Sequence, residues 1–180
     1  MIYMFLADGF EEVEALAPLD LMRRAGLSVT TVGIGKKDIC GAHGITVTAD
    51  ISDKDFKSDT VDMVFLPGGM PGTLNLAKSS VVIDAINLAL KQDAYIAAIC
   101  AAPSILGDMG LLHGKRATCY PGFESKLVGA EASKNEKIVV DGKFITAKGM
   151  GVAIDMGLKI IELLCSKEKS EELKHAVIAD

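Results

Sequence analysis

The chain predicts an α/β fold: a three-layer sandwich with a mostly parallel sheet and helices on both faces. Three observations carry this reading. Short apolar runs alternate with helical patterns from end to end, as strand–helix–strand units require. No internal repeat, low-complexity segment or linker interrupts the 180 residues, so residues 1–180 read as one domain. Third, the strand-like run Tyr95–Ile99 stops abruptly at Cys100 and passes at once into a small-residue helix opening with Pro103. Proline suits that place, because the first turn of a helix has no acceptor for the missing N–H.

Taken in order, Ile2–Leu6 is an apolar run ended by Ala7-Asp8-Gly9, a strand and its turn. Residues 10–26 read as a helix, with Glu11, Glu12 and Glu14 early, Arg23 and Arg24 late and Gly26 as a stop. Pro18 lies inside and predicts a kink or break, since it cannot donate to the Glu14 carbonyl. Ser28–Val32 is the next strand, and 38–49 a small hairpin attached to the main sheet. Residues 50–60 are polar and helical or irregular. The stretch 61–69 is a strand ending in Pro67-Gly68-Gly69, and 79–92 a helix with Val82, Ile86, Ala89 and Leu90 on one face. Lys115–Cys119 is a further strand, ending at Tyr120-Pro121. Asp141-Gly142 joins 138–140 to 143–146 as a hairpin. Gly149-Met150-Gly151 opens the last long helix, with Ile154, Leu158, Ile161 and Cys165 inward, and a polar helix closes the chain. Met63, Met70, Met109, Met150 and Met156 read as core or gap-filling residues.

A hydrophobic fraction of 49% with 24% charged residues is ordinary for a soluble globular protein. The net charge of −5 argues against a nucleic-acid surface. The opening MIYMFLADGFEE lacks a basic region, and its apolar run is too short for a signal peptide or a membrane span. The four cysteines form no CxxC pair and no evident disulfide framework, which fits a reducing, cytoplasmic setting. Nor do His43, His113 and His175 stand at ligand spacing to them, so no metal site is expected.

In an open parallel sheet, sites form beyond the carboxyl ends of the strands. Those ends supply Asp8–Glu14, Gly68–Gly72, Cys100 and Tyr120-Pro121. Cys100 stands at a strand–turn–helix corner like a nucleophile elbow, where the helix N-terminus is expected to favour its thiolate. A buried structural cysteine is the plain alternative. Gly68 and Gly69 let backbone approach a ligand, and the N–H groups of Gly69 and Ala101 are candidate oxyanion donors. Glu11 and Glu12 read as surface charges favoured by the helix dipole. Glu14 is the candidate proton shuttle, expected to keep its proton beside the thiolate.

The motifs 8-DGFEEVE-14, 18-PLDLMRRAG-26, 66-LPGG-69, 97-AAICAAP-103, 120-YPG-122 and 146-TAKGMGVAID-155 together resemble the ThiJ/PfpI superfamily, most of all its DJ-one branch of Parkinson-disease protein deglycases. The resemblance runs from Met1 to about residue 178. It implies a flavodoxin-like sandwich, no cofactor and a homodimer, with the first helix and the hairpin around Cys40–His43 as candidate contact surfaces. It also implies that Cys100 is the elbow cysteine, Glu14 its partner carboxylate, and Gly69 with Ala101 the oxyanion donors. Two departures stand out. Protease-like relatives carry histidine directly after the cysteine, where this chain has Ala101, and the close branch often has histidine in place of Tyr120.

Two functions follow. One is a cofactor-free enzyme for small reactive carbonyls, converting methylglyoxal to lactate without glutathione or acting as a deglycase, with Cys100 as nucleophile and Glu14 as general acid/base. The other is a redox sensor or chaperone-like protein acting through oxidation of Cys100. The same sulfur serves both.

Overall fold

The computed structural model describes residues 1–57 and 60–179. In chain order its elements are β1 (Ile2–Leu6), α1 (Glu12–Arg24), β2 (Val29–Gly33), β3 (Asp38–Cys40), β4 (Thr46–Thr48), β5 (Ile51–Ser52), β6 (Met63–Leu66), α2 (Gly72–Lys78), α3 (Ser80–Lys91), β7 (Tyr95–Ile99), α4 (Pro103–Asp108), β8 (Arg116–Ala117), β9 (Glu131–Ala132), β10 (Ile138–Asp141), β11 (Phe144–Ala147), α5 (Ala153–Leu164) and α6 (Lys167–Ala176). Seven strands form the main sheet in the order β10-β11-β7-β6-β1-β2-β5. All of its neighbours pair parallel except β10, which folds back on β11 through the Asp141-Gly142 turn. None of the described helices is long and apolar enough to cross a membrane.

The layers follow from the period-2 alternation of side chains along each strand. Tyr3, Phe5, Val64, Leu66, Ile96 and Ala98 point to one face, where Leu76, Val82, Ile86, Ile105 and Leu106 of α2, α3 and α4 cover them. Ile2, Met4, Leu6, Met63, Phe65, Ala97 and Ile99 point to the other, against Ala15, Leu19, Met22, Ala153, Met156 and Ile160 of α1 and α5. The central strands are buried on both sides, so they read as continuous apolar runs. The three-layer sandwich is therefore as expected.

Several elements differ from the sequence reading. The helix continues through Pro18 without a break. The hairpin β3–β4 makes its own two-stranded sheet instead of joining the main one. Ile51–Ser52, in a stretch read as helical or irregular, is an edge strand beside β2; positions 58 and 59 of that stretch lie outside the described residues. Helix α2 was not foreseen. Lys115–Cys119 is not a main-sheet strand: only Arg116–Ala117 pairs, with β9. Past that pair the Thr118 N–H meets β11 through a side chain, donating to the Thr146 hydroxyl and not to a strand carbonyl. In α5, Leu158 and Ile161 are buried as expected, but Ile154 in the first turn is exposed, and so is Cys165, which lies just past the helix end; Ala153, Met156, Gly157 and Ile160 are buried beside them. Leu90, Met70 and Met150 are likewise exposed.

Behind the elbow, α4 lies tight against the segment that follows Tyr120. A Cβ on Gly107 would fall 2.1 Å from the Lys126 carbonyl oxygen, which is backbone and cannot swing aside. Gly107→Ala is therefore expected to destabilise the fold by about 2 kcal/mol, the scale of an overpacked core site, read as a lower urea midpoint.

Candidate active site

Three carboxyl ends, those of β1, β6 and β7, meet where the strand order turns back across β1, the place at which open α/β sheets bind ligands. Cys100 follows β7 directly. Its φ is +64°, a left-handed conformation rare for a residue with a side chain. Both backbone groups at the corner are engaged: its N–H donates to the Ala147 carbonyl (2.9 Å), and its carbonyl accepts the Tyr120 N–H (2.8 Å). A paired backbone in a strained conformation is the signature of a nucleophile elbow.

Glu14, one turn into α1, is 1% exposed. Its Oε2 accepts the Gly68 N–H at 3.1 Å, and the Met150 N–H and the Cys100 thiol also bond to its carboxyl group. Gly68 is the meeting point. A Cβ there would sit 2.5 Å from Glu14 Oε2 and 2.6 Å from Cys100 Cβ, so only glycine lets the two side chains close on each other. The next residue, Gly69, has φ +90°, and its N–H and that of Ala101 both point at the Cys100 sulfur.

Burial, which disfavours charge, pushes Glu14 up to about 7 despite the hydrogen bonds it receives. Burial and the adjacent Glu14 charge push the Cys100 thiol up to about 12, against the pull of the Gly69 and Ala101 N–H groups. The resting thiolate expected from the helix N-terminus is thus not what the site favours. Helix α4 is only six residues long and begins at Pro103, whereas desolvation and a carboxylate act on the sulfur directly. At neutral pH the pair holds between one and two protons, and the carboxyl group is the first to lose its own.

The site opens into a cleft of about 750 Å³ lined by Cys100, Glu14, Tyr120, Pro121, Glu11, His43 and the segment Gly149–Val152, with Asn135, Lys137 and Lys148 at one side. Of the sequence candidates, Cys100, Glu14, Tyr120 and Pro121 line the cleft, while Gly68, Gly69 and Ala101 lie against the Glu14–Cys100 pair through their N–H groups. Tyr120 is 51% exposed, with its ring edge-on to Phe123.

The sequence reading missed His43 and misjudged Glu12. Glu12 is no surface charge but 2% exposed. It ties α1 to the β3–β4 hairpin: Oε1 accepts the His43 N–H at 2.7 Å, and Oε2 pairs with His43 Nδ1 at 2.9 Å. Burial opposes its charge, yet the His43 ring and the backbone N–H groups of His43 and Ile45 hold it below the ordinary carboxylate value. His43 is raised in turn, chiefly by its bond to Glu12. An imidazole therefore stands at the cleft although neither family position for one is filled. Glu11, Glu12 and His43 bring ligand atoms within 4.8 Å of one another. Both Glu12 oxygens are engaged by His43, and Glu11 Oε2 caps α1 through the Glu14 N–H at 2.7 Å.

Residues 1–163 match the model of the DJ-1/PfpI family, and the chain belongs to that family. It is 37% identical over 177 residues to protein dj-1beta of Drosophila melanogaster, covering 97% of this chain and 95% of that one. It is 33% identical to the glutathione-independent glyoxalase DJR-1.2 of Caenorhabditis elegans, over 91% of this chain and 87% of the relative. The structure of oxidised Toxoplasma gondii DJ-1 superposes with a TM-score of 0.94 at 30% identity, over 98% and 97% of the two chains.

The raised Glu14 value has a consequence for stability. Between the ordinary glutamate value of 4.5 and about 7, the folded chain holds a proton that the unfolded chain has released, so stability falls as pH rises through that window. Glu14→Gln removes the buried charge, and above pH ~7 it should be more stable than the parent by up to about 3 kcal/mol. Below pH ~4.5 the two should converge. Urea unfolding at both pH values checks this.

Proposed function

We propose that the protein is a cysteine-dependent, cofactor-free enzyme that converts small 2-oxoaldehydes such as methylglyoxal to 2-hydroxy acids without glutathione. The observation that carries the reading is the closure of Glu14 and Cys100 across Gly68, with two N–H groups aimed at the sulfur and an open cleft in front. The glyoxalase name of the worm relative supports it.

The chemistry uses the pair's own proton. The Glu14 carboxylate takes the thiol proton as sulfur attacks the aldehyde carbon, then passes it to the new oxyanion, leaving a hemithioacetal. The carboxylate next removes the hydrogen from that carbon, giving an enediol, and returns it to the neighbouring carbon. The product is a 2-hydroxyacyl thioester of Cys100. Water cleaves it to release the acid and restore the thiol. A carboxyl group near pH ~7 suits this double duty, since it gives and takes protons with equal ease there.

The oxidation reading draws on the same backbone donors, which would hold sulfinate oxygens, and on the oxidised state named for the Toxoplasma relative. Both chemistries need the thiolate, so the raised thiol bears on them alike, and the glyoxalase name of the worm relative favours the carbonyl reading.

Lactate formation from methylglyoxal without glutathione is the test. The parent should produce it, while Cys100→Ala and Glu14→Gln should each lose at least about a hundredfold in kcat/KM, the scale of general acid–base catalysis. The parent's kcat/KM should rise with pH to a plateau with its midpoint near 7, as Glu14 becomes the base. Undiminished turnover in either variant would defeat the mechanism.

A further inference from the structure

The cleft is much larger than a three-carbon substrate needs. At about 750 Å³ it lies in the range of pockets that enclose drug-sized ligands. Its walls also differ in charge. The α1 side carries Glu14 and Glu11, the latter committed to capping its own helix. The other side carries Lys137 and Lys148, and the backbone fixes both relative to the elbow. Ala147, whose carbonyl takes the Cys100 N–H, immediately precedes Lys148, and the Lys148 N–H donates to the Lys137 carbonyl at 3.0 Å. The Lys148 ammonium donates to the Lys134 carbonyl, a neutral acceptor. Among the described residues, neither ammonium has a carboxylate within 4.0 Å. Asn135 adds an amide on the same side.

Two cations with no carboxylate in ion-pair contact, Lys148 sharing only the longer-range field of Glu124, stand beside a nucleophile and over room for a longer molecule, and form an anion-accepting wall. We propose that the preferred substrate is a 2-oxoaldehyde bearing an anionic group, carboxylate or phosphate, at the end remote from the aldehyde. Lys137 and Lys148 hold that group while Cys100 takes the aldehyde carbon. This rests on the carbonyl chemistry proposed above and deepens it by naming the substrate class.

The probes are phenylglyoxal and its para-carboxylate and para-phosphonate, which share one reacting group and differ in charge. In the parent, kcat/KM for the anionic pair should exceed that for phenylglyoxal by about fivefold or more, the scale of two exposed ion pairs. That ratio should shrink with added salt and approach one in Lys137→Met/Lys148→Met. A ratio near one in the parent, or one that survives the double substitution, overturns the proposal; the stronger of the two anions identifies the group. If no glyoxal is turned over, the carbonyl reading has failed and the anion site is read separately. Alkylation of Cys100 by iodoacetate relative to iodoacetamide should then fall about fivefold in the double variant. An unchanged ratio there sinks the anion site on its own.

Discussion

Two acids share one desolvated corner, and the rest of the site is arranged around that fact. Glu14 and Cys100 come from segments far apart in the chain, and neither would be unusual alone. Brought together behind Gly68, they cannot both be charged without a large electrostatic penalty in a low-dielectric setting. The backbone answers with four N–H groups: Gly68 and Met150 on the carboxyl group, Gly69 and Ala101 on the sulfur. The charge rests first on the carboxyl group, and the donors on the sulfur lower the cost of moving it there, which is what a proton relay between a nucleophile and its base requires.

The fold explains why this corner can exist. A buried parallel strand ends at Ile99, and the chain must reverse into α4 within three residues. It does so through Cys100 in a left-handed conformation, held by the Ala147 carbonyl and the Tyr120 N–H. Neighbouring carboxyl ends supply the glycine floor, and α1 runs across the sheet so that its first turn faces the elbow. Residues of four different segments are thereby fixed by main-chain hydrogen bonds, which locate side chains more firmly than packing among flexible groups.

Much of this was legible in the sequence where a local signal existed. The apolar runs of β1, β6 and β7, the Asp141-Gly142 turn and the abrupt stop at Cys100 all carry information within a few residues. Cys100, Glu14 and the glycine floor could be named for that reason. The errors arose where a partner lies far along the chain. Glu12 looks like a helix-start surface charge until the hairpin, 31 residues later, is folded over it. Burial of the sulfur is equally invisible in a linear string, so the helix N-terminus was given a weight that desolvation overrides. The bounds of α5 are invisible in the same way: the count places Leu158 and Ile161 inside, but Ile154 falls in the exposed first turn and Cys165 beyond the last residue.

The Glu12–His43 bond makes the hairpin more than a cover. One end of this link is a carboxylate covered by the backbone of the hairpin from Gly41 to Ile45, and the other is an exposed ring on a short two-stranded ribbon. Lifting the ribbon would strip that carboxylate of the His43 ring and of the His43 and Ile45 N–H groups that favour its charge. The hairpin is therefore held twice, by Ile39 and Val47 packed into the core and by this link at its tip. Its tip is thereby tied to the same first turn of the helix that carries Glu14, so the cover and the acid of the site share one anchor.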